Sequence, residues 1–270
     1  MILACRSSER TLPVVEEIKK ETGNDQVEFM ELDLGSLASV TKFSEEYHSK
    51  GLPLHVLLNN AGIMYGPFRT TAEGIEAQFG TNHVGHFLLT QLLFDVLDRS
   101  QPSRVVQVSS MAHMWPYNGG VVFDKINDQA HYKETLAYGQ SKLCNILFAR
   151  ELAKRVEGKK IYVNAIHPGY VHTDLQRNIY DSWNPVYAFL ARLGHRLFAL
   201  SPVQGAMTQL YVATHPDIEA KGIVGRYFVP IAKESTTSAL GNDGELGKKL
   251  WAYTEELLKE KLGDAYKPQI

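Results

Sequence analysis

The chain has 270 residues, 44% hydrophobic and 21% charged, and this composition excludes a disordered chain, a collagen and a coiled coil. The net charge is −2, so no excess of positive charge is available to bind nucleic acid. Two cysteines, Cys5 and Cys144, are too few for a disulfide framework and indicate a reducing, cytoplasmic compartment. The length fits a single domain over residues 1–270, and the apolar stretches are shorter than the roughly 20 residues that span a bilayer.

Short apolar runs alternate with longer helix-like patterns along the chain. The predicted strands are Ile2–Cys5, Val27–Leu32, Leu54–Leu58, Arg104–Val108, Tyr162–Ile166 and Gly225–Val229. The predicted helices are Ser8–Thr22, Leu37–Lys50, Glu73–Asp98, Lys133–Val156, Pro202–His215 and Glu245–Leu262. This alternation predicts an α/β fold, a doubly wound parallel Rossmann-type sheet with helices on both faces.

Local signals refine the first two helices. Ser36 is expected to cap the second helix, and Gly23 is expected to end the first. Pro13 is tolerated only in a first helical turn, which indicates a start near Thr11. Two irregular stretches, 111–131 and 169–201, interrupt the pattern where ligand-facing loops of such a sheet lie.

The pair Tyr138 and Lys142 carries the first chemical signal. Residues four apart on a helix are neighbours, so the phenol and the ammonium meet on one face. A nearby cation favours the phenolate and lowers the tyrosine pKa, which would make a general acid/base near neutrality. The pair alone is weak, because a chain with 13 Tyr is expected to contain one by chance on an amphipathic surface.

The order of further motifs strengthens this signal. Asn59-Asn-Ala-Gly62 follows a predicted strand, and Asn82-His-Val-Gly-His-Phe87 lies in the next helix. Val108-Ser-Ser110 ends the following strand, and His167-Pro-Gly-Tyr-Val-His-Thr173 ends another. Each motif lies at the carboxyl end of a strand or in the helix after it, which is the ligand-binding edge of such a sheet.

On these motifs, together with Tyr138-x-x-Ser-Lys142, the chain resembles the short-chain dehydrogenase/reductase family, close to its retinol-dehydrogenase-like and WW-domain oxidoreductase branch. The resemblance implies that Tyr138 exchanges a proton with the substrate oxygen and that Ser110 polarises that oxygen. It implies that Lys142 lowers the tyrosine pKa and binds the nicotinamide ribose, and that Asn82 links Lys142 to solvent through a water. The cofactor residues that it implies, besides Tyr138 and Lys142, are Asp33, Leu34, Asn59, Ala61, Gly62, Pro168, Gly169, Val171 and Thr173.

The end of the first predicted strand favours NADP(H) over NAD(H). NAD enzymes of this architecture place an acidic residue there for the ribose hydroxyl. The sequence instead has Arg6, whose guanidinium suits a 2′-phosphate. A surface arginine at a strand end is the alternative interpretation.

The resemblance also indicates a substrate class. The interval between Ser110 and Tyr138 is longer than in most of the family, as in the retinol-dehydrogenase-like branch. Trp115, Tyr117 and Phe123 in this insertion either shape an apolar pocket or anchor a surface flap. The expected substrate is a lipophilic alcohol, aldehyde or ketone, and a homodimer is left open.

Other candidate sites are weaker. His83 and His86 lie three apart without a supporting acid or cysteine pattern, so we expect structural roles and no metal. The apolar stretch Trp183–Leu200 is interpreted as a flap over the substrate site, with contact to a membrane surface as the alternative.

The glycine-rich turn of the family has no counterpart, because no G-x-x-x-G-x-G occurs before Asn59. Met1 falls at the start of what corresponds to the second strand, so the first strand and its turn and helix, about 30 residues, are missing. The strands on either side must pair directly or leave two unpaired edges. We expect an amino-terminally truncated form of an active enzyme. The alternatives are a cofactor-deficient pseudoenzyme that binds a partner and, less favoured by Asn59–Gly62, a sugar-nucleotide epimerase.

Overall fold

The computed structural model describes residues 1–171, 173 and 199–270. Strands and helices alternate along these ranges, and the predicted α/β fold with a mostly parallel sheet flanked by helices is confirmed. The elements are, in chain order, β1 (Ile2–Cys5), α1 (Ser8–Thr22), β2 (Glu28–Glu31), α2 (Leu37–Ser49), β3 (Val56–Asn59), α3 (Ala77–Phe79), α4 (Gly85–Leu92), α5 (Phe94–Arg99), β4 (Ser103–Val108), α6 (Glu134–Arg155), β5 (Ile161–Ile166), α7 (Pro202–Thr214), α8 (Asp217–Ala220), β6 (Tyr227–Val229), β7 (Lys233–Ser235) and α9 (Gly244–Leu262).

The first helix begins earlier than Pro13 suggested. Ser7 caps α1 by accepting a hydrogen bond from the Arg10 backbone N–H, so the helix starts at Ser8 and the expected start near Thr11 is wrong. The helix ends at Gly23 as predicted, because Gly23 adopts φ 66°, a left-handed conformation that suits glycine. Pro13 therefore lies inside the helix, on its exposed side.

The predicted helix Glu73–Asp98 is broken into several segments. A π-helical turn, Gly80–Val84, separates α3 from α4, and Leu93 separates α4 from α5. Close backbone contacts accompany the break, since a Cβ on Gly85 would lie 2.4 Å from the Leu34 carbonyl oxygen. A π turn has more residues per turn than an α-helix, so it changes the angular positions of the side chains that follow α3. The direction of the Asn82 side chain therefore depends on this turn.

The strands form two separate sheets. Strands β3, β4, β5, β6 and β7 form one sheet in that order, with β7 antiparallel, and β1 and β2 form a parallel pair of their own. Strands β1 and β3 do not pair, so each has an unpaired edge, which is the second of the two predicted outcomes. The Val56 and Leu58 side chains of β3 are also exposed, because nothing in the described residues covers that face of the strand.

The larger sheet is covered on both faces. One face packs against α6, α4 and α9 in the main core, which includes Val105, Val163, Leu143 and Trp251. The other face is covered by α7, in a smaller cluster of Val106, Val108, Ile166, Val212, Ala213 and Phe228. Within the described ranges, no helix has the length and apolarity that crossing a bilayer requires.

Candidate active site

The Tyr138 and Lys142 side chains are buried, so they do not form part of an ordinary amphipathic helix surface. Helix α6 is enclosed by β4 and β5, by the π turn and by α9, and its residues 137–149 are all buried. Such enclosure removes water from both side chains, and their protonation is governed by the protein around them.

Lys142 is held by the end of β4. Its Nζ donates a hydrogen bond to the Val108 carbonyl oxygen at 3.2 Å and lies 5.7 Å from the centroid of the Tyr138 ring. Burial lowers the pKa of Lys142 to about 8, so the ammonium is still charged at neutral pH. The Ser109 hydroxyl donates to the Lys142 carbonyl oxygen at 2.7 Å and fixes this turn of α6 against the strand.

The expectation that Lys142 lowers the pKa of Tyr138 is not met in this structure. Burial raises the pKa of Tyr138 well above its usual value, a hydrogen bond with Ser110 opposes the rise, and the Tyr65 phenol adds to it. The physical reason is that desolvation of a buried phenol outweighs the attraction of an ammonium that is hydrogen-bonded elsewhere. Tyr138 is therefore a protonated phenol at neutral pH.

Ser110 lies where β4 gives way to a 3₁₀ turn, Met111–Met114. Its side chain accepts a hydrogen bond from the Ala112 backbone N–H and caps that turn, and it also hydrogen-bonds to Tyr138. The strand end and helix α6 therefore bring the predicted serine and tyrosine together. A substrate oxygen at this point would meet both hydroxyls.

Asn82 is fully buried in the π turn. Its side-chain oxygen accepts from the Ile63 N–H at 2.8 Å, and its amide nitrogen donates to the Ile63 carbonyl and to the Ser141 hydroxyl, each at 2.9 Å. The side chain thus fixes the loop after β3 against α6. The predicted water relay through Asn82 stays a prediction.

Gly62 forms a close approach between this loop and the catalytic groups. A Cβ on Gly62 would lie 3.0 Å from the Asn82 Oδ1 and 3.3 Å from the Lys142 Nζ. The backbone at Gly62 and the buried ammonium, which has donors beyond its one bond to Val108, suit the hydroxyl groups of a ribose. The chain's residues therefore fit the nicotinamide ribose end of a dinucleotide.

Two predicted cofactor residues turn their side chains away from the site. The Asn59 amide donates to the Thr90 hydroxyl at 3.1 Å and to the Gln107 side chain at 2.9 Å inside the protein. The Leu34 side chain lies in the main hydrophobic core. Asn59 ends β3 and Leu34 lies in the turn after β2, and both side chains point inward, so their backbones are the parts that could line a cofactor. Their part in cofactor binding stays a prediction.

The remaining predicted cofactor residues lie at the carboxyl ends of strands. Arg6 is exposed directly after β1, and Asp33 follows β2 and accepts a hydrogen bond from the Gly35 N–H at 2.9 Å. Ala61 is exposed after β3, and after β5 come Pro168, Gly169, Val171 and Thr173. Arg6 and Asp33 belong to the smaller sheet, whereas the rest belong to the larger one.

Gly169 adopts φ 96°, and a Cβ there would lie 2.6 Å from the Leu200 Cδ1. Val171 forms a bridge with Leu200 and packs over Gly205 of α7. The predicted flap over Trp183–Leu200 lies outside the described residues except for its last two positions.

The aromatic residues of the insertion play different parts. Tyr117 is buried and stacks on His131, and Phe123 packs against Tyr253 of α9, so these two anchor the insertion. Trp115 is exposed, as are Met111 and Met114, and all three follow Ser110 directly. Exposed apolar side chains thus occupy the turn that follows the predicted catalytic serine.

The two histidines of the motif are buried beside the π turn. His83 approaches the Thr254 hydroxyl of α9 at 3.0 Å, and burial lowers its pKa to about 3. His86 approaches the Asn82 carbonyl oxygen at 3.0 Å, and burial lowers its pKa to about 4. Both are neutral at neutral pH and connect helices through hydrogen bonds and ring contacts.

Sequence reasoning missed three residues of the site. The Tyr65 ring meets the Tyr138 ring edge-on, with centroids 5.4 Å apart. The Asn145 amide shares the Val108 carbonyl with Lys142, at 2.9 Å. Gly139 allows α6 to touch the turn after Ser110, because a Cβ would lie 2.3 Å from the Trp115 carbonyl oxygen. Gly139 lies within the Tyr138-x-x-Ser-Lys142 motif, and Asn145 follows that motif on the same helix.

A family model described as short chain dehydrogenase matches residues 1–124 and 126–183. The chain is 39% identical over 265 residues to short-chain dehydrogenase TIC 32 B, chloroplastic, of Brassica napus, which covers 96% of this chain and 80% of that protein. It is 39% identical over 269 residues to retinol dehydrogenase 14 of Mus musculus, covering 96% and 78%. It is 41% identical over 268 residues to the human WW domain-containing oxidoreductase, covering 97% and 63%.

Solved structures agree in fold. An uncharacterized protein from Mycobacterium paratuberculosis superposes with a TM-score of 0.68 at 32% identity, covering 96% of this chain and 83% of that one. A short chain dehydrogenase from Shigella flexneri, complexed with NADP, superposes with a TM-score of 0.62 at 20% identity, covering 84% of each. The latter similarity concerns the fold alone.

Proposed function

The chain belongs to the short-chain dehydrogenase family of oxidoreductases, and from this premise we propose that it interconverts a lipophilic alcohol and its aldehyde or ketone with NADP(H). The observation that carries the proposal is the cluster at the carboxyl end of β4, where the buried Tyr138 and Lys142 lie beside the half-buried Ser110. A buried acid beside a hydroxyl donor and a cation is what proton transfer to a carbonyl oxygen requires.

In the reduction direction, the cluster acts on the substrate oxygen. The Ser110 hydroxyl hydrogen-bonds to the carbonyl and polarises it, and the Tyr138 phenol donates its proton to that oxygen as the alcohol forms. The charged Lys142 ammonium then stabilises the phenolate that remains, since burial strengthens electrostatic interactions. A bound nicotinamide supplies the hydride for this step.

The protonated Tyr138 phenol is the form that carbonyl reduction requires, whereas the net direction of the reaction follows the ratio of reduced to oxidised cofactor. A phenol that keeps its proton at neutral pH is ready to act as an acid. Oxidation of an alcohol would first need a phenolate, which the buried site disfavours until a further charge or hydrogen bond lowers that pKa.

Two features support the substrate class and the cofactor. Met111, Met114 and Trp115 are exposed in the turn that follows Ser110, and contiguous exposed apolar groups commonly bind apolar ligands. Similarity to retinol dehydrogenase 14 agrees with a lipophilic alcohol or aldehyde. Arg6 supports NADP(H), because its guanidinium can bind a phosphate through two hydrogen bonds.

The test compares wild type with Tyr138→Phe on a panel of lipophilic aldehydes and ketones with NADPH. We expect the variant to lose about 10²-fold or more in kcat with a small change in KM, because only the proton donor is removed. Circular dichroism of both proteins checks that the fold is kept. Equal activities would discard Tyr138 as the acid.

A cofactor-deficient, partner-binding protein is the second candidate. The observation that favours it is the unpaired edge of β1 and of β3, to which a partner could add a strand. Titration of the chain with NADPH, followed by intrinsic fluorescence, separates the two. Saturable quenching supports the oxidoreductase, whereas a folded chain without binding supports the second candidate.

A further inference from the structure

A cavity of about 590 Å³ lies at the end of the larger sheet opposite the active site. It is bounded by the last turns of α6, the start of β5, the turn before β6 and the start of α9. Arg150, which lines it, is about 18 Å along the α6 axis from Tyr138 at the usual helical rise. The cavity is therefore distinct from the catalytic cluster, and its volume is typical of small-molecule sites.

Four cationic side chains line the cavity, and three of them have acidic partners. The Lys159 Nζ lies 2.7 Å from Asp98. The Lys154 Nζ lies 3.6 Å from Glu151, and the Arg226 Nε lies 3.6 Å from Glu234. The last two distances are long for ion pairs, so these cations are only loosely held.

The fourth cation, Arg150, has no carboxylate partner among the described residues. One terminal nitrogen of its guanidinium donates to the neutral Asn242 side chain, and its Nε is buried without an acceptor in the same part of the chain. Burial and the charge of the nearby Arg226 both lower the pKa of Arg150. Two guanidinium groups therefore repel each other across this cavity.

The acidic residues of the lining do not relieve this repulsion. Glu151 is bound by Arg155 at 3.1 Å, outside the cavity, as well as by Lys154. Asp243 accepts hydrogen bonds from the Glu245 and Leu246 backbone N–H groups and caps α9. Glu157, the third acidic residue of the lining, forms no ion pair with Arg150 or Arg226 among the described residues. The Arg150 guanidinium therefore has no anionic partner at this cavity.

We propose that this cavity binds a small-molecule oxyanion, a phosphate or carboxylate group, between the guanidinium groups of Arg150 and Arg226. A guanidinium presents several N–H donors in one plane and matches the oxygen pairs of such groups. The ligand would supply the Arg150 Nε with an acceptor and would neutralise the repulsion between the two arginines.

The test titrates the full chain with inorganic phosphate and, separately, with succinate, at constant ionic strength. Calorimetry measures affinity, and the Nε–H resonance of Arg150, assigned by its loss in Arg150→Gln, reports the site. We expect saturable binding that shifts this resonance and that weakens about tenfold or more in Arg150→Gln and in Arg226→Gln. Stronger binding of phosphate or of succinate identifies which oxyanion the site prefers.

Two controls separate the cavity from other cationic positions. Arg99→Gln removes an exposed arginine elsewhere and is expected to bind as wild type does. If Arg6→Gln loses phosphate or succinate binding and Arg150→Gln keeps it, the binding occurs near Arg6 after β1 and the proposal is overturned. No saturable binding, or an unshifted Arg150 resonance, would also overturn it. If Arg150→Gln does not fold, the exposed Arg226→Gln supplies the same comparison.

Discussion

The buried Lys142 ammonium is required by the proposed mechanism, but its burial lowers the stability of the folded protein. The side chain is buried with one hydrogen bond to the Val108 carbonyl, and burial lowers its pKa from 10.5 to about 8. Between these two values the unfolded chain binds more protons than the folded protein, so stability rises with pH across this window. Below pH 8 the folded protein bears the full cost of a buried ammonium.

We therefore predict that Lys142→Met is more stable than wild type at pH 7 and inactive. Removing the buried charge should raise the free energy of unfolding by about 3 kcal/mol at pH 7 but by only about 1 kcal/mol at pH 10. Asn145 still donates to the Val108 carbonyl, so no acceptor is left unpaired. Urea unfolding at both pH values measures the two differences.

Lys154→Met serves as the matched control, because Lys154 lies on the same helix and its side chain is mostly exposed. It should change stability little at either pH. A Lys142→Met protein that is less stable than wild type at pH 7 would contradict the burial cost.

At the scale of elements, the contact between α6 and the 3₁₀ turn places Ser110 against Tyr138. A Cβ on Gly139 would lie 2.3 Å from the Trp115 carbonyl oxygen and 2.8 Å from that of Ala112. Both neighbours are backbone atoms, so the turn itself must move to admit a methyl group. The glycine of the catalytic motif thus determines the approach of two elements.

We predict that Gly139→Ala destabilises the protein by about 1–3 kcal/mol and lowers kcat about tenfold or more, because the displaced turn carries Ser110. Thermal unfolding and the carbonyl reduction assay measure the two effects. Gly247→Ala on α9 is the control, since its Cβ would meet neighbours at 3.8–4.0 Å, and it should be neutral or slightly stabilising. Equal behaviour of the two variants would contradict the close approach.

Elements differ in how well the sequence predicts them. The apolar runs located β4 and β5 within one residue, because strands buried on both faces have a distinct pattern. An apolar run also located β1, which is only partly buried. The break in the helix before Arg99 was not predictable, because the π turn follows from tertiary contacts of Gly80 and Gly85 with Thr71 and Leu34. The antiparallel β7 was also missed, since Lys233–Ser235 is short and polar.

The site residues also divide into those that sequence motifs predict and those whose positions depend on tertiary contacts. Motif order located Tyr138, Ser110 and Asn82, and the structure brings them to one edge of the sheet. The inward direction of Asn59 and the place of Tyr65 over Tyr138 depend on how the loop after β3 folds. No periodicity in the sequence encodes those directions.

At the scale of the whole molecule, the divided sheet leaves an apolar strand edge exposed. The Val56 and Leu58 side chains of β3 are 36% and 40% exposed and alternate with the buried Leu57 and Asn59, although the apolar run predicts a strand buried on both faces. Unpaired edges with apolar side chains promote association between molecules. This edge is where contact between copies is expected first.

We predict that Leu58→Lys lowers self-association at least about threefold while the fold is kept, because a charge on an edge strand opposes pairing. Sedimentation over a range of protein concentrations measures the effect. Met207→Lys is the control, since Met207 is exposed to a similar extent on α7. An unchanged association of Leu58→Lys would show that the β3 edge is not the contact.

The division of the sheet also determines how a ligand that contacts both sheets would affect the stability of the protein. Arg6 and Asp33 lie on the smaller sheet, and Lys142 and Ser110 lie beside the larger one, with no hydrogen-bond ladder joining the two. The two parts are held together by side-chain packing between α2 and α4. A dinucleotide that reached from Arg6 to Lys142 would cross-link the two sheets, so its binding free energy would add to the packing of the shared core that already joins them.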